Sequence, residues 1–223
     1  MFAGHVGVAL AVGRAETRVN IGVFVTAALL LDLVLWLFVL LGLESVTIAP
    51  SFANTHQVEF IFPYSHGLLA SGLWSVLAAT VGFFAYSRLG TAKWVAACLI
   101  GAAVFSHWLL DVLVHQPEMP LGGASSPKVG FGLWQSLPIA LIVEAAIVLL
   151  GLYVFMRRSI LSRRRSLALS VLCLVILAVT VIGMTIAPPP PSPFAMAGSS
   201  FVTLIVVCAL SFWLGPVPHE AQA

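Results

Sequence analysis

Apolar residues run along this chain in blocks of membrane-spanning length, and most polar residues collect between the blocks. Windows long enough to cross a bilayer fall at about Ile21–Leu43, Tyr64–Tyr86, Ala92–Val114, Trp134–Met156, Ser166–Ile186 and Ser199–Leu214, against the ~20 residues that a hydrocarbon core of ~30 Å requires. An opening block, Phe2 to Gly13, reaches only ~18 Å as a helix and reads as a half-membrane or re-entrant helix that carries His5 into the bundle. Between the last two windows, Pro188-Pro189-Pro190-Pro191-Ser192-Pro193 cannot continue a helix and predicts a stiff extended connection. The pattern therefore predicts an all-α polytopic membrane bundle, about six transmembrane helices plus a short N-terminal half-membrane helix. It forms one integral membrane domain over residues 1–223, with a polar-site core at about 1–156 and a C-terminal helix pair at about 166–215.

Composition agrees and excludes a soluble enzyme. The chain is 61% hydrophobic and 8% charged, where soluble domains carry about 25% charged residues. Cys98, Cys173 and Cys208 lie inside apolar runs without C-x-x-C spacing and read as small buried hydrophobes. Met1-Phe2-Ala3-Gly4-His5 has no basic n-region, so the opening segment is expected to stay in the mature protein. Of ten Lys and Arg, only Lys128 departs from one parity of connections. The rest are Arg14, Arg18, Arg88, Lys93, Arg157, Arg158, Arg163, Arg164 and Arg165. By the positive-inside rule these connections are cytoplasmic, with the C-terminal tail holding His219 and Glu220, and the long connections 44–63 and 115–133 lie outside. The Arg163-Arg164-Arg165 run sets topology; no nucleic-acid partner is expected.

The polar residues inside the apolar blocks carry the chemistry. His107, Asp111 and His115 are spaced by four, so on a helix they form a stripe drifting roughly 40° per step, with Ser106 beside it. Imidazole and carboxylate in a bilayer cost free energy unless paired, metal-bound or wet, which makes such a stripe a candidate site. At ~1.5 Å per residue from the cytoplasmic ends, His5 lies at ~14 Å, Asp32 ~16 Å, Glu144 ~20 Å and His107 ~21 Å. Asp111 follows at ~27 Å, and His66 and His115 at ~33 Å. These depths predict an inner polar layer and an outer one, meeting at a metal.

Each residue also has a plainer reading. His107 with Asp111 can be a hydrogen-bonded helix pair, and His66, His115 and His5 can be wet or buried histidines. Asp32 has no Lys or Arg at its depth to pair with, so it needs a His, a metal or a proton. Glu144 is a ligand, a general base, or a protonated carboxyl bonded to a neighbouring helix. His56 and Glu59 read as loop residues, and the tryptophans as packing or interfacial belt.

Phe2-Ala3-Gly4-His5, Leu31-Asp32, Tyr64-Ser65-His66 and Ser106-His107-x3-Asp111-x3-His115, in this order over residues 1–120, resemble bacterial inner-membrane proteins described as membrane-bound metal-dependent hydrolases. That group is distantly similar to zinc-dependent phospholipase C proteins. The resemblance implies metal roles for His5, Asp32, His66, His107 and Asp111, and a multi-pass location in the bacterial inner membrane. The family's Asp-x-Asp-His near the first Asp stands here as a lone Asp32, which argues against a second ion, and His115 has no usual counterpart.

His and Asp ligands with a spare carboxylate suit metal-assisted hydrolysis, with Asp111 or Glu144 accepting the proton and His115, Ser65 and Ser106 supporting ligands or touching substrate. Zinc is the first expectation for a divalent ion held by imidazole and carboxylate, manganese and iron the alternatives. An outward-facing site in a membrane favours an amphiphilic or lipid-like substrate. The rival is a proton- or metal-ion-coupled transporter, which requires polar residues through the cytoplasmic half as well. A bis-histidine haem carrier fits less well, since axial ligation needs no carboxylates.

Overall fold

The computed structural model describes residues 1–157, 159 and 161–215. His219 and Glu220, the tail expected on the cytoplasmic side, lie outside the described residues. The opening block is helix α1 (Phe2–Gly13). The next predicted span is two helices, α2 (Ile21–Ala28) and α3 (Leu30–Leu40), bent by 52° at Leu29. Neither Pro nor Gly stands at the bend. The Ala28 carbonyl there accepts a bond from His107 Nδ1 at 2.6 Å, and a side chain inserted into the helical ladder breaks it. The break leaves Asp32 in the first turn of α3, where unpaired backbone N–H groups favour a carboxylate.

A small cap follows, made of β1 (Ser45–Thr47), the single turn α4 (Phe52–Thr55) and β2 (Glu59–Ile61). β1 and β2 pair antiparallel, Ser45 opposite Ile61 and Thr47 opposite Glu59. Helix α5 (Leu68–Ala85) starts four residues later than its apolar window, so Tyr64–Gly67 is loop and His66 sits on it. α5 packs on α6 (Ala92–Val114) through small residues: a Cβ on Gly101 would stand 3.1 Å from the Ala79 Cβ and the Ser75 carbonyl. Close backbone approach of this kind is how helices associate where lipid supplies no hydrophobic drive.

The second long connection pairs β3 (Met119–Pro120) with β4 (Lys128–Val129). It then folds back on α6, where the Phe131 and Gly132 amides donate to the Val112 and His115 carbonyls, each at 2.7 Å. These are carbonyls that the end of a helix otherwise leaves unpaired. Helices α7 (Leu137–Met156), α8 (Arg163–Thr185) and α9 (Pro193–Leu214) complete the bundle. Ser162 and Ser192 cap α8 and α9 by accepting from the amides of Arg165 and Ala195. With Pro193 in its first turn, α9 begins before the Ser199 expected from hydropathy, and the last span is full length.

Helices α5 to α9, and α2 with α3 taken as one bent span, are long and apolar enough to cross a membrane. Their outward faces carry Leu73, Phe84, Ile142, Leu150 and Val202, all exposed, as lipid contact requires. The protein is a multi-pass helical bundle. Cys98 is exposed, contrary to expectation, because it lies on the outward side of α6; Cys173 and Cys208 are buried, and all three are free thiols. Helix α1 lies along α7 backbone to backbone. A Cβ on Gly7 would meet the Ile147 carbonyl and Val148 Cα, and one on Gly151 would meet the Gly7 carbonyl.

Candidate metal centre

Five chemically suited side chains from four parts of the chain meet near the middle of the bundle. α1 brings His5, the first turn of α3 brings Asp32, the loop before α5 brings His66, and α6 brings His107 and Asp111. His107 Nε2 stands 3.1 Å from His66 Nε2, 3.1 Å from Asp111 Oδ2 and 3.6 Å from Asp32 Oδ1. His66 Nε2 stands 3.4 Å from Asp111 Oδ2 and 3.6 Å from Asp32 Oδ1. His5 stacks on His107 with ring centroids 3.6 Å apart and planes at 8°. All are buried except Asp32, whose side chain is 21% exposed.

The inner and outer members therefore meet at one position, as a shared ion requires, and stand closer together than the depths suggest. Depth counted along straight helices put His66 and Asp111 above His5 and Asp32. The loop carrying His66 instead folds back into the bundle, and the α2–α3 break resets the height of Asp32. Glu44 anchors that loop: its carboxylate accepts from the Tyr64 and Ser65 amides at 2.8 and 2.9 Å. Burial pushes the Glu44 carboxyl up from its usual value, and these two bonds act against it.

The donor set fits a divalent cation. Atoms about 2.0–2.2 Å from one ion stand roughly 3.0–3.6 Å apart in octahedral or tetrahedral arrangement, and the distances among Nε2 of His66 and His107 and the Asp oxygens run from 3.1 to 3.6 Å. His107 donates its Nδ1 proton to the Ala28 carbonyl, which leaves Nε2 as a lone pair facing the other acceptors. Ser65 Oγ, 2.8 Å from Nδ1 of His66, orients the second ring. His5 Nε2 lies 3.1 Å from Asp111 Oδ1 but off the hydrogen-bonding direction, and neither of its buried nitrogens has a hydrogen-bond partner. Such orphaned nitrogens are costly unless something else engages them. Among the described residues two triads satisfy metal spacing, His5–Asp32–His107 and His66–His107–Asp111. Both need the single free nitrogen of His107, so they describe one position.

The remaining candidates surround the cluster. Glu144 is buried on α7 and its Oε2 accepts from the Ala3 and Gly4 amides at 3.0 and 3.2 Å, capping α1 from a neighbouring helix. Its place is thus beside the turn that presents His5. His115 Nε2 is 3.9 Å from Asp111 Oδ2, while its Nδ1 meets Glu118 at 2.6 Å and its ring packs on Trp134 with centroids 4.4 Å apart. Ser106 donates to the Ala103 carbonyl of its own helix and does not join the cluster. The Met1 amino group lies 2.9 Å from Asp111 Oδ1. Glu44, Glu118 and Trp134 belong to no motif, and only the fold shows what they do. Gln57 Nε2 donates to the Trp134 carbonyl at 2.8 Å and the Phe60 amide to Glu118 Oε2 at 3.3 Å, tying the two long connections together over the cluster.

Replacing Glu144 separates a cap from a base. Glu144→Gln keeps a carbonyl for the two α1 amides and is expected to leave stability and metal content near wild type. Glu144→Ala strands both amides, at about 1–3 kcal/mol each. Thermal unfolding in detergent checks both; a Gln variant as unstable as Ala would remove the capping role.

A cavity of about 350 Å³ opens from the cluster, within the range of small-molecule sites. Asp32, His66, Asp111, His115 and Glu144 form its polar end. Trp36, Phe60, Phe62 and Trp134 wall it, and it extends between α8 and α9. No family model matches the chain, and no curated protein or solved structure matches it.

Proposed function

We infer that this protein is a membrane-embedded, metal-dependent hydrolase acting on an amphiphilic substrate from the outer side of a bacterial inner membrane. The observation that carries the reading is the convergence of His5, Asp32, His66, His107 and Asp111 at ligand spacing against a largely apolar cavity. These five residues would hold one divalent ion, zinc by the imidazole–carboxylate character of the set. Such an ion, when bound, polarises a carbonyl or phosphoryl group and lowers the pKa of a coordinated water towards ~7.

The chain's own residues do the rest. Ala28 and Ser65 hold the His107 and His66 rings, and Asp32, the most exposed member of the cluster, faces the cavity. Glu144 keeps the first turn of α1 against α7. Trp36, Phe60, Phe62 and Trp134 restrict water at the polar end, which strengthens every electrostatic interaction there. On the side of the basic connections the bundle is filled by Ala9, Leu10, Phe24, Val25, Ala96 and Ile100, all buried. That apolar packing favours a one-sided site over a transport path.

Metal analysis of the detergent-purified protein by inductively coupled plasma mass spectrometry tests the reading. One zinc, manganese or iron per chain is expected, with ester, phosphodiester and amide lipids then screened as substrates. Chelation is expected to remove both ion and hydrolysis, and the cognate metal to restore them. Protein that takes up no ion even after reconstitution would instead point to proton-carrying His and Asp.

A further inference from the structure

The cavity leaves the cluster between α8 and α9, although these helices adjoin in the chain. α8 leans mainly on α7 and α1 and α9 mainly on α2 and α3, with only light contact between them, and the cavity runs between the two near the end joined by the proline-rich connection. The cleft between them is lined by Thr180, Gly183 and Met184 on α8, and by Met196, Ser199 and Thr203 on α9. Gly183, Ser199 and Thr203 are exposed, so the cleft opens sideways rather than closing behind the cavity. A Cβ on Gly183 would meet nothing within 4 Å.

Depth identifies the surroundings. Val179, the deepest α8 residue of the lining, is ~9 Å from Thr185, and Leu204 on α9 is ~16 Å from Pro193. The opening thus covers about one leaflet of a ~30 Å hydrocarbon core. A sideways opening at that depth meets acyl chains. The hydroxyls in it do not demand water, since Thr180 and Thr203 donate to the carbonyls of Ile176 and Ser199 in their own helices.

We propose that the α8–α9 cleft is a lateral portal that admits a lipid from the outer leaflet, its acyl chain lying between Gly183 and Ser199 while its polar group reaches Asp32 and His66. This rests on the hydrolase reading for what happens at the polar end, but the portal itself is a binding claim. It makes the C-terminal helix pair the part that selects substrate, with Gly183 the position that sets the width of the entry.

The test uses the full chain in vesicles of phosphatidylcholine containing a small share of the same lipid with a diazirine at one acyl terminus. After illumination, mass spectrometry maps the adducts. Labelling is expected at Met184 and Met196 as well as at lipid-facing Leu73 and Val76 of α5. Gly183→Trp, and independently Ser199→Phe from the opposite wall, are expected to lower adducts at Met184 and Met196 about tenfold, as losing roughly two buried methylenes would. Adducts on α5 should be unchanged, which also reports that the variants are folded and inserted. Labelling of Met184 and Met196 that neither substitution reduces, or labelling confined to α5, would overturn the portal. Metal content is measured on the same samples: wild type without metal would overturn the hydrolase reading and leave the portal standing on the adducts.

Discussion

His107→Ala is expected to empty the centre, lowering metal affinity by more than about a hundredfold. Outer partners of a metal ligand are worth 10–100-fold, and His107 is a ligand position shared by both triads. Its ring also fills a buried site stacked against His5 and bonded to Ala28, so truncation removes a ligand and loosens two neighbours. Asp32→Asn and Asp111→Asn are expected to follow it, because an amide offers a weaker, neutral oxygen. Ser65→Ala, which removes only the hydroxyl behind His66, is expected near tenfold. Zinc competition titrations, with metal content at saturation, rank the four. A His107→Ala protein that retains wild-type metal would place the ion elsewhere.

Gly151→Leu is expected to cost the fold more than any substitution in the polar cluster. Overpacking a core costs typically about 1–3 kcal/mol, where a side chain can give way. At Gly151 the obstacle is the Gly7 backbone, so α1 as a whole must leave α7. His5 would move with it, and the bonds from Glu144 to the Ala3 and Gly4 amides would be lost. The expected result is a large fall in melting temperature in detergent together with loss of metal. Gly183→Ala, into open space, should melt like wild type. An unchanged melting temperature for Gly151→Leu would mean that α1 does not lie on α7.

The two outcomes are linked through α1. It is too short to span, and its sequence has no strong amphipathic pattern to fix an orientation. Its position is set by Gly7 against Gly151 and by Glu144 at its amino end. A carboxylate that reads from sequence as a candidate base therefore stands as the cap that presents His5, and its catalytic use is a separate matter for the Gln variant.

The run of apolar windows was enough to establish a multi-pass helical bundle, since hydrocarbon forces helices and their length is set by its thickness. It was also enough to single out His5, Asp32, His66, His107 and Asp111 as polar groups needing partners in an apolar setting. Their meeting at one metal was expected from the resemblance, but the depths counted along the windows spread them apart, and only the fold shows how the backbone brings them together. Depth counted along each window assumes straight, complete helices, and that assumption failed where a side chain from another helix took a backbone carbonyl at Ala28 and where Tyr64–Gly67 remained loop. The roles of Glu44 and Trp134 were equally closed, because each acts on a partner far away in the chain or on backbone, and neither leaves a pattern along the sequence; Glu118 stands three residues from His115, but its bond from the Phe60 amide appears only in the fold. The cleft between α8 and α9 belongs wholly to the tertiary structure: their composition says only that both face lipid, and it is their packing on different neighbours that separates them.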